Sequence, residues 1–212
     1  MRFLRSRTIW GVLLILMGIL FLLESLGVLA IGGAWALLFV VAGLAFGYTF
    51  LEDRANWWAV IPAMTLLGIA ALIAVNTYAP RAGETWGASI FLGALSLAFW
   101  IIFLTTGMEQ WWALIPGGVL LSLAGAIALE PIIAEETFVG LFMLGIGLTF
   151  ALVYLLSKQR ESMSWALIPA GILSMIGIIF FSAATETAAL IWPAVLIVIG
   201  AYLLLRSLRQ RR

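Results

Sequence analysis

The side chains that most often carry out chemistry are scarce in this sequence, which contains no histidine and no cysteine. Disulfides, thiol nucleophiles, imidazole metal ligands and the usual general base near neutral pH are therefore excluded. Among the acidic residues, Glu130, Glu135 and Glu136 are close enough in sequence to hold a divalent cation weakly. A solvated acidic loop explains the same three residues more simply, so we predict no metal site there.

Hydroxyl side chains are the polar groups that remain inside the long apolar runs. Each can donate its hydrogen to a backbone carbonyl one turn back or bond to a neighbouring helix. No nucleotide-binding loop or calcium loop accompanies them, and no charged residue falls near the middle of a run. Because ionisable residues within a membrane usually mark proton or ion paths, we predict no catalytic residue, no cofactor and no enzyme. The hydroxyl residues are Thr65, Ser89, Ser96, Ser122, Thr149 and Ser174.

The composition indicates that the protein is surrounded by lipid. Hydrophobic residues make up 65% of the 212 residues and charged residues 10%, against about half and about a quarter in a typical soluble domain. The mean hydropathy is +1.19. Such a chain has too little polar surface to cover a core, so we predict an integral membrane protein. The net charge of +1 gives no reason to expect a nucleic-acid partner.

Eight apolar runs are long enough to cross the roughly 30 Å hydrocarbon core of a bilayer as helices. Barrel strands are a poor alternative, because they alternate apolar and polar residues over about ten positions. We therefore predict one all-α membrane domain covering residues 1–212, with short polar loops between helices. The runs are Thr8–Leu26, Gly33–Leu51, Ala59–Ala74, Trp86–Thr105, Ala113–Leu129, Thr137–Ser157, Ala166–Phe181 and Ala188–Leu205.

An internal repeat organises these runs. Trp58-Ala59-Val60-Ile61-Pro62 recurs 54 residues later as Trp112-Ala113-Leu114-Ile115-Pro116, and 53 residues after that as Trp165-Ala166-Leu167-Ile168-Pro169. Each copy begins an odd-numbered run, so the repeating unit is a two-helix hairpin. Odd runs cross in one direction and even runs in the other. Four hairpins account for the chain, at approximately 1–54, 55–107, 108–160 and 161–212.

Tryptophan marks the starts of the predicted helices. The indole ring is apolar but keeps one N–H donor, so it favours the headgroup level of a membrane. Proline is tolerated in the first helical turn because its fixed φ suits that position. We interpret the repeated Trp-to-Pro segment as an interfacial helix start; a docking site for a lipid headgroup or a partner is the alternative. The residues are Trp58, Pro62, Trp112, Pro116, Trp165 and Pro169.

Glycines supply the expected packing faces. Lipid gives little hydrophobic force between helices, so close backbone approach at small residues must provide the attraction. Gly43 and Gly47 form a small-xxx-small pair, and other glycines are spaced by seven residues. We predict that these glycines pack helices within the chain; a contact between copies in a homo-oligomer is the alternative. The set is Gly18, Gly43, Gly47, Gly118, Gly125 and Gly200.

The basic residues predict the orientation. With alternating crossings, ten of the eleven Lys and Arg residues fall on the side of both termini, and only Arg81 falls on the other side. Short loops rich in Lys and Arg stay in the cytoplasm. We therefore predict that both termini are cytoplasmic in a cell (plasma or inner) membrane. An even number of spans follows, which agrees with eight.

A shared spacing relates the first, second and last runs to a known family. In each of them a Trp and a Gly stand with seven residues between them (W-x7-G), within leucine-rich sequence. The pattern resembles the bacterial LiaI/LiaF-type transmembrane region, a small helical bundle. The resemblance implies a bundle of largely unknown function that also occurs in envelope-stress regulators acting with a sensor kinase. The pairs are Trp10 and Gly18, Trp35 and Gly43, and Trp192 and Gly200.

With no chemistry in the sequence, we expect a non-enzymatic membrane module that acts through lateral contacts of its helices. Such a module could be a scaffold, an accessory subunit or an envelope-stress sensing component. Its expected partners are the lipid bilayer and another membrane protein, such as a sensor kinase. The alternative is a transporter or channel for a small neutral or amphipathic solute, which an internal cavity of about 300 Å³ or more would favour.

Overall fold

The computed structural model describes residues 32–157 and 163–183, with isolated positions at 15, 18, 19, 22, 26 and 197. Most of these residues are helical. No strand occurs among these residues. Short 3-10 helices adjoin the α-helices at Trp57–Ala59, Gly107–Ala113, Glu130–Ile132 and Ser164–Ala166. The α-helices are α1 (Gly32–Glu52), α2 (Val60–Tyr78), α3 (Pro80–Thr106), α4 (Leu114–Leu129), α5 (Glu135–Leu156) and α6 (Leu167–Ala183).

Five continuous helical stretches within the described residues are long and apolar enough to cross a membrane. The longest, Pro80–Ile132, has 53 residues and would measure about 80 Å as one straight helix, well over twice the bilayer core. It turns back at Gly107, whose φ of 63° and ψ of −138° lie in a region that is essentially restricted to glycine. The stretch is therefore a hairpin, with α3 and α4 as its two arms.

Consecutive helices pack side by side and antiparallel, and each contacts chiefly the helices before and after it. A Cβ atom added at Gly33, early in α1, would meet the hydroxyl of Tyr78 at the end of α2, and one added at Gly43 would meet Leu67. These pairs run in opposite directions along the two helices, as an antiparallel arrangement requires. The helices therefore follow one another in an up-and-down order.

This alternation puts two kinds of connection at opposite ends of the bundle. The turns Trp57–Ala59, Gly107–Ala113 and Ser164–Ala166 lie at one end, which we call the Trp end. The connection between α2 and α3 and the connection between α4 and α5 lie at the other end. We call it the acidic end. The acidic end is defined by Glu84, Glu130, Glu135 and Glu136, all of which are exposed.

Small side chains fill the contacts between helices, whereas many large apolar side chains face outward. Ala59, Ala98 and Ile102 are fully buried in one cluster near the Trp end, and Leu114 and Val153 belong to a second cluster. Exposed leucines and isoleucines occur on α1, α3, α4, α5 and α6. This distribution suits a bundle surrounded by lipid, where helices associate through close packing and not through expulsion of water.

The structure extends α3 beyond the run that the sequence predicts. The polar segment from Ala79 to Glu84 predicts a loop, but the helix begins at Pro80. Proline suits the first helical position because its missing N–H would lack an intrahelical acceptor there. The exposed side chains of Arg81 and Glu84 extend from the helix into the surroundings, so polarity alone does not interrupt the helix.

Two predicted runs lie outside the described residues. Thr8–Leu26 is described only at single positions, and so is Ala188–Leu205. The coarse prediction of an all-helical protein with several membrane-capable helices is confirmed for the described residues. Eight crossings and cytoplasmic termini stay predictions.

Candidate functional site

Each Trp-Ala segment of the repeated motif forms a 3-10 turn that leads directly into a helix. The alanines of the three copies, Ala59, Ala113 and Ala166, have no exposed surface, so the residue after each Trp packs into the interior. The motif proline is the third residue of its helix in every copy. The prolines are Pro62 in α2, Pro116 in α4 and Pro169 in α6.

Tryptophans of successive turns contact one another along the Trp end. Trp57 packs edge to face against Trp112, with ring centroids 5.7 Å apart. Trp111 packs in the same way against Trp165 at 6.4 Å. Each contact joins the first aromatic position of one turn to the second position of the next turn, so the two contacts are equivalent in the repeat. An aromatic pair of this kind contributes about 0.5–1.5 kcal/mol beyond the area that it buries. We call these four residues the aromatic ladder.

A phenylalanine from the preceding helix supports each turn, and the sequence reading missed these residues. The first two phenylalanines are 53 residues apart and the third follows after 51 more, so the spacing of the tryptophan motif could have found them. Each ring packs edge to face against the second aromatic position of the turn. The pairs are Phe46–Trp58 at 6.4 Å, Phe99–Trp112 at 6.1 Å and Phe150–Trp165 at 6.0 Å.

The aromatic residues of the Trp end keep access to polar surroundings. Trp58 is 49% exposed, and the Nε1 of Trp112 donates a hydrogen bond to Gln110 Oε1 at 2.6 Å. The guanidinium of Arg54 lies 4.4 Å from the centroid of the Phe50 ring, a cation–π distance. Half-exposed indoles beside charged and amide side chains suit a boundary between membrane and water.

Of the six predicted packing glycines, the five that the structure describes fall into two groups. A Cβ atom added at Gly43 would lie 2.9 Å from Leu67 Cγ, and one added at Gly118 would overlap Thr149. Both positions therefore hold neighbouring helices close together. The spacing of glycines within a helix identifies a small face, but it does not say whether a neighbour covers that face. No atom of the described residues lies within 4 Å of such an atom at Gly18, Gly47 or Gly125, and Gly200 lies outside the described residues.

The contact between α5 and α6 depends on glycines that the sequence reading did not single out. A Cβ atom added at Gly140 would lie 2.6 Å from the backbone nitrogen of Phe181, and one added at Gly177 would lie 2.7 Å from that of Leu144. The two helices therefore approach at the level of their backbones. Because these glycines face each other from different helices, no pattern within one helix predicts the contact.

Most described hydroxyl groups of the apolar runs bond within their own helix, as Thr65 does to Ile61 O at 2.8 Å. Ser96 differs, because its buried Oγ donates to Gly117 O of α4 at 2.7 Å. Ser89 also lies on α3, and its buried Oγ has no hydrogen-bond partner among the described residues. The Ser96 hydroxyl therefore joins α3 to α4, whereas the Ser89 hydroxyl makes no hydrogen bond with the described residues.

The carboxylates of the acidic end are exposed. Within the described residues, no group of three or more Asp or Glu side chains could hold a metal ion. Glu135 and Glu136 instead occupy the first turn of α5, where negative charge interacts favourably with the helix dipole.

A groove of about 580 Å³ opens between α3 and α4 toward the acidic end. Ser89 and Ile90 line it from α3, and Ala124, Gly125 and Ala128 line it from α4, with Trp86 also at its wall. The groove is open to the surroundings and is not an enclosed chamber. We call it the Ser89 groove.

Comparisons of the chain with protein-family models, curated proteins and solved structures found no match. The resemblance to the LiaI/LiaF-type region therefore depends on the W-x7-G residues alone. The function must be argued from the geometry of the described helices.

Proposed function

We propose that the protein is a non-enzymatic membrane module that works through lateral contacts of its helices with another membrane protein. One observation carries the proposal. Leu37, Leu44, Tyr48 and Leu51 share one face of α1, and each of them is at least 58% exposed. On the other face of the same helix, Phe50 is 6% exposed and belongs to the cluster shared with α2 and α3. None of the described helices covers this apolar face, so with respect to them it is open to a partner within the membrane.

The polar and aromatic side chains of the described helices support this role, because they stabilise the bundle. Ser96 joins α3 to α4, and the aromatic ladder connects successive turns at the Trp end. The charged side chains of α3 lie in its first turns, at Arg81 and Glu84. The middle of the helix offers only apolar and hydroxyl groups to its surroundings.

The proposal includes the finer organisation that the sequence predicts. The chain would cross a bacterial inner membrane eight times as four hairpins, with both termini in the cytoplasm. The bias of Lys and Arg toward one side supports the orientation, and the common shape of the three Trp-Ala turns supports the repeat. The W-x7-G resemblance adds a role in envelope-stress sensing, with a sensor kinase as the partner.

Site-specific photo-crosslinking in the native membrane tests the proposal. A photoreactive residue replaces Leu44 on the exposed face of α1, and in a matched variant it replaces the buried Phe50. We expect a discrete crosslinked product that contains a second membrane protein from position 44 and none from position 50. Mass spectrometry after mild-detergent purification then identifies the partner and its stoichiometry.

Two results would contradict the proposal. A crosslink from position 44 to another part of the same chain would show that the protein itself covers this face. Lipid adducts alone, with a purified protein that carries no partner, would remove the accessory-subunit role.

The Ser89 groove favours a second candidate, a transporter for a small neutral or amphipathic solute. Its volume of about 580 Å³ exceeds the roughly 300 Å³ at which ligand pockets begin. However, the groove is open on the side of one helix pair, whereas transport needs a path between the two membrane faces. Uptake of a solute into proteoliposomes that contain the purified protein would support this candidate.

A further inference from the structure

The same row of positions recurs on α2, α4 and α6. It consists of the sixth, tenth and fourteenth residues after the tryptophan that begins each copy of the motif, Trp58, Trp112 or Trp165. Residues four positions apart lie on one face of a helix. The rows are Met64, Gly68 and Leu72 on α2, Gly118, Ser122 and Ala126 on α4, and Gly171, Met175 and Ile179 on α6.

On α2 and α4, the helix that follows in the chain packs against this row. A Cβ atom added at Gly68 would lie 3.0 Å from the Cβ atom of Ala94 on α3. One added at Gly145 on α5 would overlap the side chain of Ser122. Gly68 and Ser122 are both the tenth residue after the motif tryptophan, so the two contacts are equivalent in the repeat.

The row on α6 is not covered by any described helix. No atom of the described residues lies within 4 Å of a Cβ atom added at Gly171. Met175 and Ile179 are each 40% exposed, whereas Ala126, the counterpart of Ile179 on α4, has no exposed surface. The α6 row therefore repeats a packing face whose covering helix lies outside the described residues.

The next apolar run of the chain fits this row. The described part of α6 ends at Ala183, and the predicted run Ala188–Leu205 begins after four more residues. So short a connection keeps the following run beside α6, as the five residues Glu130–Ala134 keep α5 beside α4. We infer that the α6 row is the docking surface for Ala188–Leu205, which packs on it antiparallel. The inference rests on the proposed four-hairpin organisation and adds a surface and a register to it.

A contact that recurs near the Trp end sets the register. In each case a small residue of one helix approaches a carbonyl of the next helix, and that carbonyl belongs to the fifth residue after the motif tryptophan. The three small residues are therefore equivalent. The contacts are the Cβ position of Gly43 with Ala63 O at 3.0 Å, Ser96 Oγ with Gly117 O at 2.7 Å, and the Cβ position of Gly147 with Ala170 O at 3.2 Å.

Gly200 continues this series in the last run. It follows Trp192 by eight residues, as Gly43 follows Trp35 by eight. The shared spacing makes Gly200 the counterpart of Gly43, although Gly200 lies outside the described residues.

The residue two positions before a member of the series covers the row. Ala94 and Gly145 hold this place in α3 and α5, each against the tenth residue after the motif tryptophan. In the last run the place belongs to Val198, and the tenth residue on α6 is Met175. Val198 therefore lies against Met175. The α6 row is then closed to a partner protein, which leaves the exposed face of α1 for the proposed lateral contact.

Disulfide cross-linking of the full chain in its native membrane tests the inference, because the protein has no cysteine of its own. Met175→Cys and Val198→Cys are combined and oxidised with copper phenanthroline. Thiols that remain free are then labelled with a heavy maleimide in denaturant. Most chains should stay monomeric and take up no label, because the pair forms a disulfide within one chain.

Two further pairs are the controls. Gly68→Cys with Ala94→Cys is the equivalent pair between α2 and α3 and should cross-link, since its Cβ positions are as close as a disulfide requires. Met175→Cys with Ile197→Cys should cross-link about tenfold less, because position 197 points about 100° away from position 198 around a helix. Ile197 is 70% exposed, in agreement with this orientation.

Three results would overturn the inference. The pair at 175 and 198 could stay reduced while the pair at 68 and 94 cross-links, or positions 197 and 198 could react equally with position 175. A disulfide-linked dimer would instead assign the α6 row to a second copy of the chain. None of these readouts involves α1, so failure of the proposed module would appear separately, in the photo-crosslinks from position 44.

Discussion

At the scale of single residues, hydroxyl side chains and glycines occupy matched positions across helix pairs. A Cβ atom at Gly118 would overlap Thr149, and one at Gly145 would overlap Ser122 on the helix that carries Gly118. Each hydroxyl also bonds to a carbonyl of its own helix, as Thr149 does to Gly145 O at 2.8 Å. The hydroxyl side chains of α4 and α5 thus fill the space that the glycines leave. They are positioned for packing between these two helices.

Gly118→Ala should destabilise the protein, because the added methyl group would overlap the Thr149 side chain across the α4–α5 contact. Overpacking of this kind costs about 1–3 kcal/mol. Thermal unfolding in mild detergent measures the effect, and Gly118→Ala combined with Thr149→Ala should regain part of the loss. Gly47→Ala is the control, since no atom of the described residues lies within 4 Å of its Cβ position. Equal stability of the two single variants would show that α4 and α5 do not approach closely at Gly118.

At the scale of helices and turns, the α3–α4 hairpin depends on its connecting segment and above all on Gly107. The segment Gly107–Ala113 connects two helices that could otherwise continue as a single rod. Its first residue has a positive φ of 63°, and the backbone of Gln110 is also non-helical, with a φ of −113° and a ψ of 44°. The contact between Trp112 and Phe99 then holds the returning chain against α3.

Gly107→Ala should therefore weaken the hairpin. An L-residue with a Cβ atom is strained at this φ and ψ, at a cost of about 1–3 kcal/mol. We expect a lower unfolding temperature in detergent than for Gly93→Ala. That change places the same methyl group inside helix α3, where no atom of the described residues lies within 4 Å of it. If the two variants unfold at the same temperature, the turn does not require the glycine conformation.

At the scale of the whole molecule, the sequence predicts the described helices well because lipid leaves few alternatives for the backbone. Continuous apolar runs with Trp at their starts locate helices such as α2 and α4 to within a few residues. The sequence did not predict the start of α3, because polar residues at a membrane boundary can still belong to a helix. The Ser89 groove could not be predicted, since it depends on the register between α3 and α4 and not on either helix alone.

The orientation of the whole bundle is testable because the chain has no cysteine, so one introduced thiol reports one position. Asp53→Cys places the thiol at the Trp end, and Glu135→Cys places it at the acidic end; both side chains are exposed. The excess of Lys and Arg on the side of the Trp end predicts that this end is cytoplasmic. A membrane-impermeant maleimide should therefore label position 135 in intact spheroplasts and position 53 only after lysis. Both variants should label equally in denaturant, which controls for thiol reactivity. The reverse pattern would show that the acidic end is the cytoplasmic one. Labelling of both positions in intact spheroplasts would mean that the protein inserts in two orientations.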